Sequence, residues 1–254
     1  MLSDAELDRY ARQIILPPFG GAGQARLKAA HVAIIGAGGL GCPAVAYLAA
    51  AGVGTISLID HDHVELSNLH RQPLFSDDDL GAAKADVAAR VAMRINPHLQ
   101  IIPHVVRLDA DNAASLLAGA DLIFDGCDNF STRQTVNRAA IALQTPLLSA
   151  AIGAFDGQIG LFEGWRADSP CYACLVGDDP YRPGTNCSEA GVMGALPGMI
   201  GAMAALEAIR ALTGWGRPLT GRLTLIDMMD RRWREAGIAK DPACPVCSEG
   251  GSSA

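Results

Sequence analysis

Positive charge is scarce in this sequence. Lysine and arginine number 20 against 27 aspartates and glutamates, which gives the 254 residues a formal net charge of −7. So few cations cannot form a broad basic face, and the composition therefore argues against a nucleic-acid partner and an anionic membrane surface. Any phosphate group that binds here must be held by a few individually placed cations.

An export signal and a long apolar segment are also missing. Residues 1–6 contain neither the basic nor the apolar stretch of a secretory signal. The uncharged run between Glu189 and Glu207 is interrupted by glycine and proline and is shorter than the roughly 20 apolar residues of a membrane span. We therefore expect a cytoplasmic protein with no membrane partner.

Strands alternate with helices over the first 150 residues. Apolar strand patterns occupy residues 31–35, 55–59, 99–106, 122–124 and 146–150, and helical patterns occupy 40–51, 82–95 and 132–143. This alternation predicts right-handed crossovers and a largely parallel, Rossmann-like α/β sheet with helices on both faces.

The pattern changes after residue 150. Strand patterns at 157–162 and 222–226 lack regular helical partners, and an apolar helix over 199–212 separates them. We predict that these strands extend the same sheet in antiparallel fashion, with a metal clip in the C-terminal part. The predicted organisation is a helical arm over residues 1–30, one domain over 31–247 and a flexible tail over 248–254.

A glycine-rich loop follows the first predicted strand. It contains Gly36, Gly38, Gly39 and Gly41, which fit G-x-G-x-x-G with one additional glycine. Such a loop lets the backbone approach a phosphate at a helix N-terminus, and Asp60 ends the next strand, where an acid usually binds ribose hydroxyls. The pattern favours a nucleotide site over a merely tight strand–helix turn, and in isolation it favours NAD.

Polar residues further along the chain favour ATP over NAD. Asn68, Arg71 and Lys84 follow Asp60, and cations here would stabilise the charge that builds on a transferred phosphate and on departing pyrophosphate. Asp128 follows the strand at 122–124, where a carboxylate can hold Mg²⁺ against the phosphates. The simpler alternatives are that Arg71 and Lys84 are solvated surface charges and that Asp128 caps a helix.

Four of the seven cysteines form two close pairs. Cys171 and Cys174 make one Cys-x-x-Cys pair and Cys244 and Cys247 make the other, with 69 residues between the pairs (244 − 174 − 1). Four thiolates suit Zn²⁺ in a closed structural site, so we predict zinc rather than buried free thiols or a thioredoxin-like redox pair. Cys187 lies in a polar loop, and its thiol would be reactive in an electropositive, partly exposed setting.

Several motifs occur together in an uncommon combination. They are Arg9-Tyr10-x-Arg12-Gln13-Ile14-Ile15-Leu16, the glycine loop, Asp60-x-Asp62, Ser67-Asn68-Leu69-x-Arg71-Gln72, Lys84 and Cys127-Asp128-Asn129. In this combination the sequence resembles the ThiF/MoeB/HesA family, the bacterial relatives of ubiquitin-activating enzymes. The resemblance runs from about residue 3 to residue 247, which is almost the whole chain.

The resemblance implies a homodimer with two ATP sites. It implies that the helical arm forms part of the dimer contact and that Arg12 completes the ATP site of the other subunit. The implied ATP contacts are Asp60 for the ribose, Asn68, Arg71 and Lys84 for the phosphates with Gln72 close by, and Asp128 for Mg²⁺. Structural zinc is implied as well, whereas the role of Cys187 stays open, because some members use this cysteine covalently and others do not.

The resemblance also implies a reaction. ATP would adenylate the C-terminal glycine carboxylate of a small ubiquitin-like sulfur-carrier protein that ends in Gly-Gly, and pyrophosphate would leave ahead of thiocarboxylate formation. Because the sequence ends just after the second cysteine pair, we expect a separate sulfur donor, a desulfurase or a sulfurtransferase. These residues do not distinguish a molybdopterin-pathway carrier from a thiamine-pathway carrier.

Three alternatives to this reaction remain open at the level of the sequence. An NAD(P)-dependent oxidoreductase would explain the glycine loop and Asp60 but would leave the phosphate-binding residues without a role. A zinc-stapled dimer could bind a carrier without catalysis. Within the family, the adenylated carboxylate could belong to a tRNA, which the low basicity disfavours.

Overall fold

The computed structural model describes residues 2–178 and 191–248 and is built around one sheet. Its strands are β1 (His31–Ile35), β2 (Thr55–Ile59), β3 (Gln100–His104), β4 (Leu122–Asp125), β5 (Leu147–Ile152), β6 (Asp156–Phe162), β7 (Arg222–Asp227) and β8 (Arg232–Gly237). They lie in the order β3-β2-β1-β4-β5-β6-β7-β8. Pairing is parallel from β3 to β5 and antiparallel from β5 to β8, which confirms the predicted fold class.

Helices cover both faces of this sheet. They are α1 (Asp4–Arg9), α2 (Ala11–Ile14), α3 (Gly20–Ala29), α4 (Gly41–Ala51), α5 (Lys84–Ile95), α6 (Ala113–Leu117), α7 (Phe130–Leu143), α8 (Tyr172–Val176) and α9 (Ala195–Thr213). Alternate residues of β1 enter two separate cores: Val32 and Ile34 pack with α3, α4, α5 and α9, whereas Ala33 and Ile35 pack with α6, α7 and α8. The period of two along the strand therefore fixes which helices lie on which face.

The strand order reverses at β1. From β1 the chain proceeds outward to β2 and β3 on one side, and then returns to β4 and β5 on the other side. Open α/β sheets bind ligands in the crevice that such a reversal leaves at the carboxyl ends of the strands. The fold therefore places the glycine loop after β1, Asp60 after β2 and the loop of Asp128 after β4 at one edge of the sheet.

The structure contains elements that the sequence patterns did not predict. Strand β8 reads Arg-Trp-Arg-Glu-Ala-Gly, and all six residues are exposed, because β8 is an edge strand with both faces open. No alternation of apolar and polar residues could mark it. Helices α6 and α8, with five residues each, are likewise too short to show an amphipathic period. At the other end, β3 stops at His104 rather than at residue 106.

The N-terminal arm is docked on the body of its own chain. Asn96 donates a hydrogen bond of 2.8 Å from Nδ2 to the Tyr10 hydroxyl, and Gln13 Nε2 donates one of 3.0 Å to the carbonyl of Ala51. In α1 a capping box joins Ser3 and Glu6. Helices α1 and α2 end before Pro17 and Pro18 as expected, and α3 follows them.

The sequence patterns predicted no segment long enough to span a membrane, but helix α9 passes a test of length and hydropathy for one. With 19 residues and a mean hydropathy of 1.4 over its best window, it is long and apolar enough to cross a membrane by length and composition alone. In this structure Leu196, Ile200 and Ala204 are buried in the core that contains α4 and β5. These side chains pack α9 against α4 and β5, and 39% of the window is buried in the described structure.

Candidate functional site

A cleft of 810 Å³ lies at the carboxyl ends of the parallel strands. The predicted nucleotide residues that line it are Gly36, Gly38, Gly39, Asp60, Asn68, Arg71, Gln72, Lys84 and Asp128. These residues come from segments that are up to 92 positions apart in the sequence (128 − 36). Their convergence in one cleft is the arrangement that the nucleotide hypothesis requires.

The glycine loop makes a tight turn from β1 into α4. Gly36 has φ +90°, a backbone conformation that L side chains rarely adopt, and its N–H donates to the Ile59 carbonyl at 2.9 Å. A Cβ on Gly41 would lie 1.8 Å from the Gly36 carbonyl oxygen, so only glycine lets the helix start this close to the strand. Gly38, by contrast, has room for a Cβ, whose nearest atom would be Gln72 Nε2 in ordinary contact at 3.7 Å.

Asp60 is fixed at the mouth of the cleft by the backbone. One carboxylate oxygen accepts the Ala37 N–H and the other accepts the Asp62 N–H, each at 2.7 Å. The side chain is 8% exposed, and this burial raises the pKa of Asp60 above its usual value. Because each oxygen keeps a free lone pair, the carboxylate can still accept hydrogen bonds from two ribose hydroxyls.

Lys84 and Arg71 bring positive charge into the cleft. Lys84 opens α5 and is only 6% exposed, so it is not a solvated surface charge; its ammonium donates to the Asp62 carboxylate at 3.0 Å. Arg71 is partly exposed, and its Nη1 donates to the Ser67 carbonyl at 2.8 Å. Two cations therefore face the same space as the amides of the glycine loop.

Asn68 and Gln72 present buried polar atoms with no partner in the described structure. Asn68 Oδ1 and Gln72 Oε1 are both inaccessible to solvent and accept no hydrogen bond from any described residue. Leaving such an atom unpaired costs about 1–3 kcal/mol. Since both side chains line the cleft, a ligand with polar groups is the natural partner, and a rotated amide would instead offer N–H donors to phosphate oxygens.

Asp128 is exposed and lines the cleft. It does not cap α7, because the cap is Asn129, whose side chain accepts the Thr132 N–H at 2.9 Å. No hydrogen bond or ion pair joins the Asp128 carboxylate to another described residue, so the carboxylate can take a cation. A second group with metal-ligand spacing lies nearby, formed by Asp60, His61 and Asp62.

A buried ion pair beneath the Asp128 loop was missed in the sequence. Arg133 donates to Asp125 at 3.1 Å, to Ser149 Oγ at 2.9 Å and to the Ala150 carbonyl at 2.9 Å, and it also hydrogen-bonds the Cys127 carbonyl. Asp125 is 1% exposed and Arg133 is 6% exposed. The signal available in the sequence was an arginine one helical turn after the Asn129 cap, facing the end of β4.

Two of the described site residues that the sequence predicted do not line the cleft. Gly41 affects the cleft indirectly, because its lack of a Cβ lets α4 start close to the end of β1. Arg12 is exposed on α2, and it does not belong to the cleft of its own chain. Cys187 lies outside the residues that the structure describes.

The four paired cysteines come together. The sulfur atoms lie 3.9 Å apart for Cys171 and Cys174, 3.7 Å for Cys171 and Cys244, and 3.4 Å for Cys174 and Cys247. Four sulfurs at about 2.3 Å from a tetrahedral zinc ion would be about 3.8 Å from one another. The observed spacing fits that geometry, and no rearrangement of the chain is needed to hold a zinc ion.

The other two described cysteines are unsuited to nucleophilic chemistry. Burial raises the pKa of the Cys42 thiol to about 12 and raises that of Cys127 well above its usual value. A thiol acts as a nucleophile in its thiolate form. Cys42 and Cys127 are therefore small core residues.

Comparisons with known proteins match nearly the whole chain. Residues 10–246 match the model of the ThiF family. The chain is 45% identical to the sulfur carrier protein adenylyltransferase of Thermus thermophilus over 249 residues, which is 96% of this chain and 92% of that protein. It is 43% identical to the molybdopterin-synthase adenylyltransferase of Salmonella typhimurium, over 98% of this chain and 99% of that protein. The crystal structure of E. coli MccB with MccA-N7isoASN superposes with a TM-score of 0.84 at 26% identity, over 94% of this chain and 75% of that chain.

Proposed function

Because this chain belongs to the ThiF family, we propose that it is an ATP-dependent adenylyltransferase that activates the C-terminal carboxylate of a small ubiquitin-like sulfur-carrier protein. Two relatives that match over almost their full length are named adenylyltransferases, one for a sulfur carrier protein and one for molybdopterin synthase. This kinship disfavours an oxidoreductase and a non-catalytic dimer. The carrier would end in Gly-Gly and belong to a molybdopterin, thiamine or related sulfur pathway.

The observation that carries the proposal is the presence in one cleft of a buried lysine and of two amide side chains whose oxygens have no described partner. Lys84 is buried and lines the cleft together with the glycine loop, and Asn68 Oδ1 and Gln72 Oε1 have no partner among the described residues. A triphosphate supplies the negative charge that the Lys84 ammonium requires, and with their amides rotated Asn68 and Gln72 can donate N–H groups to its oxygens. A dinucleotide needs the glycine loop and Asp60 but gives no comparable role to Lys84.

Asp128 is the proposed Mg²⁺ ligand. Its carboxylate is exposed to the cleft and is not used as a helix cap, and oxygen ligands are those that Mg²⁺ prefers. When bound, the ion would neutralise part of the phosphate charge. The Arg133–Asp125 pair beneath the loop holds Asp128 in place.

The proposed chemistry requires no general base. The carrier's carboxylate is an anion at neutral pH, so its oxygen can attack the α-phosphorus directly and form a P–O bond. The bond to the bridging oxygen breaks on the opposite side, and pyrophosphate leaves with that electron pair. Lys84 and Arg71 stabilise the charge on the departing oxygens, so catalysis rests on positioning and electrostatics.

We assign Arg12 to the active site of the second subunit of a homodimer. Its exposure on α2, in the proposed dimer arm of residues 1–30, leaves it available to a neighbouring subunit. Mixing Arg12→Ala and Lys84→Ala proteins tests this, because a mixed dimer would contain one complete site. If assembly is random, about a quarter of the wild-type activity returns. No recovery would place Arg12 in the site of its own subunit, and an active Arg12→Ala homodimer would place it outside the site.

Zinc is the proposed occupant of the four-cysteine cluster. Cys171 and Cys244 are fully buried and Cys174 and Cys247 are partly exposed. Four thiolates would fill the tetrahedral coordination of the ion and leave no position for a substrate. The ion would join the C-terminal end of the domain, residues 31–247, to its centre.

Sulfur for the second step would come from a separate donor protein. Among the described cysteines, four form the zinc cluster and two are buried thiols with raised pKa. None of these six can carry sulfur to the adenylate. A role for Cys187, like the cytoplasmic location of the protein, stays a prediction.

Exchange of labelled pyrophosphate into ATP tests the proposed function. We expect exchange that depends on Mg²⁺ and on a carrier ending in Gly-Gly, and none with the same carrier lacking its last two glycines. A tRNA substrate and NAD binding are checked in parallel. Absence of exchange with every Gly-Gly carrier would refute the adenylation proposal.

A further inference from the structure

Asn137 on α7 contacts the four-cysteine cluster from inside the core. Its side-chain nitrogen Nδ2 lies 3.6 Å from the sulfur of Cys171, and its oxygen Oδ1 accepts the Tyr172 backbone N–H at 2.9 Å. Asn137 is 1% exposed and Cys171 is fully buried. No role in nucleotide binding or in adenylation uses this contact.

The direction of the contact is fixed by the backbone. Because Oδ1 faces the Tyr172 N–H, a rotated amide would set two donors against each other, so the NH₂ group must face the sulfur. A neutral thiol is a weak acceptor, whereas a thiolate accepts well, and hydrogen bonds to a charged acceptor are about twice as strong as neutral ones. The amide is therefore oriented for a thiolate.

Zinc bound by four thiolates leaves an excess of two negative charges. A buried charge requires compensation, and Cys171 has no access to water. The amide N–H of Asn137 supplies such compensation at the most deeply buried side of the cluster. Groups that hydrogen-bond metal ligands in this way fix ligand orientation and slow the loss of the metal.

We propose that Asn137 is a positioning residue for zinc, which donates an amide N–H to the Cys171 thiolate and thereby retards zinc release. The inference rests on the proposal that the cluster binds zinc. It concerns retention of the ion rather than the adenylation chemistry, so adenylation activity is not its readout.

The chain offers a matched control on the same helix. Gln134 Nε2 donates to the Gly177 carbonyl at 2.6 Å, and Arg138 pairs with Asp178 at 2.6 Å. Both join α7 to the segment that carries Cys171 and Cys174, but neither is hydrogen-bonded to a sulfur. A purely structural role for the α7 contacts would make Gln134 and Asn137 equally important for zinc.

The test measures zinc release from the zinc-loaded protein into an excess of chelator. Asn137→Asp preserves the size of the side chain and an acceptor for the Tyr172 N–H, but replaces the donor by a carboxylate oxygen. We expect zinc to leave roughly 10-fold faster or more. Gln134→Ala should stay within about twofold of wild type, because its lost bond does not involve the sulfur. If the Asp variant does not fold, Asn137→Ala serves the same comparison.

Cobalt substitution gives a second readout that a structural role would not change. The sulfur-to-cobalt charge-transfer band reports electron density at the thiolates, so losing the N–H should shift it to lower energy in the Asn137 variant alone. Equal release rates for wild type and the Asn137 variant, or an unshifted band, would overturn the proposal. A wild-type protein that binds no zinc would instead refute the zinc assignment itself, and the inference with it.

Discussion

Replacing Gly41 by alanine should damage the fold, whereas the same change at Gly38 should damage nucleotide binding alone. A Cβ at Gly41 would lie 1.8 Å from the Gly36 carbonyl oxygen, a backbone atom that cannot move without shifting β1 or α4. A Cβ at Gly38 finds only Gln72 Nε2, at 3.7 Å, which is ordinary contact. The structure therefore predicts different effects of an alanine substitution at two glycines of one motif.

The magnitude follows from the geometry. Overpacking against a backbone atom that cannot move costs about 3 kcal/mol or slightly more. An alanine in a helix regains about 0.5–1 kcal/mol relative to glycine. The net loss for Gly41→Ala is therefore about 2–3 kcal/mol. In a chain of this size each kcal/mol lowers the melting temperature by about 2–4 °C, so we expect a fall of about 4–12 °C.

The assay is thermal melting of both variants, with and without saturating ATP and Mg²⁺. Gly38→Ala should melt within about 2 °C of wild type without ligand and should lose most of the ATP-induced rise. A Gly41→Ala protein that melts like wild type would show that the helix start is looser than the structure implies. Equal destabilisation of both variants would refute the division of roles.

Three further predictions follow from the charged residues. Lys84→Met and Arg71→Ala should each lower the rate of pyrophosphate exchange by about 100-fold or more, because each removes a cation that stabilises the departing oxygens. Near-normal exchange would show that the substituted residue does not contact the phosphates. Arg133→Met should lower the free energy of unfolding in urea by about 3–5 kcal/mol, because it leaves Asp125 buried without its partner, whereas Arg138→Met at an exposed pair should cost under about 1 kcal/mol. The Lys28 ammonium and the Ser3 backbone lower the pKa of Glu6 from 4.5 to about 2, so Glu6 contributes stability that is present above pH 4.5 and is lost as the pH falls towards 2. Glu6→Gln should therefore be less stable than wild type at pH 7, by on the order of 1–2 kcal/mol since Lys28 is partly exposed, and indistinguishable near pH 2.

Local patterns predicted the parts of the site that depend on local geometry. The glycine loop and Asp60 were recognisable because a strand, a tight turn and a helix follow one another in a few residues. The cysteine cluster was predictable for another reason: two close Cys-x-x-Cys pairs supply the four thiolates that a tetrahedral zinc site needs, whatever the chain does between them.

Tertiary contacts explain what the sequence did not reveal. Asp125 and Arg133 each look like surface residues in isolation, and only the end of β4 packed on α7 makes them a buried pair. The unsatisfied amides of Asn68 and Gln72 are invisible without coordinates, because a partner is missing only once all neighbours are known. Strand β8 lacked a pattern since neither of its faces is covered.

The cleft is organised before ATP arrives, and the short segment from Asp60 to Asp62 accounts for much of this order. The Asp60 carboxylate accepts the Asp62 N–H, the Asp62 carbonyl accepts the Lys84 N–H at 2.9 Å, and the Asp62 carboxylate accepts the Lys84 ammonium. The proposed ribose acid and the proposed phosphate lysine are thus held in register through a single aspartate. Because little side-chain freedom remains to be lost on binding, the binding energy of ATP can go into aligning its α-phosphorus with the incoming carboxylate.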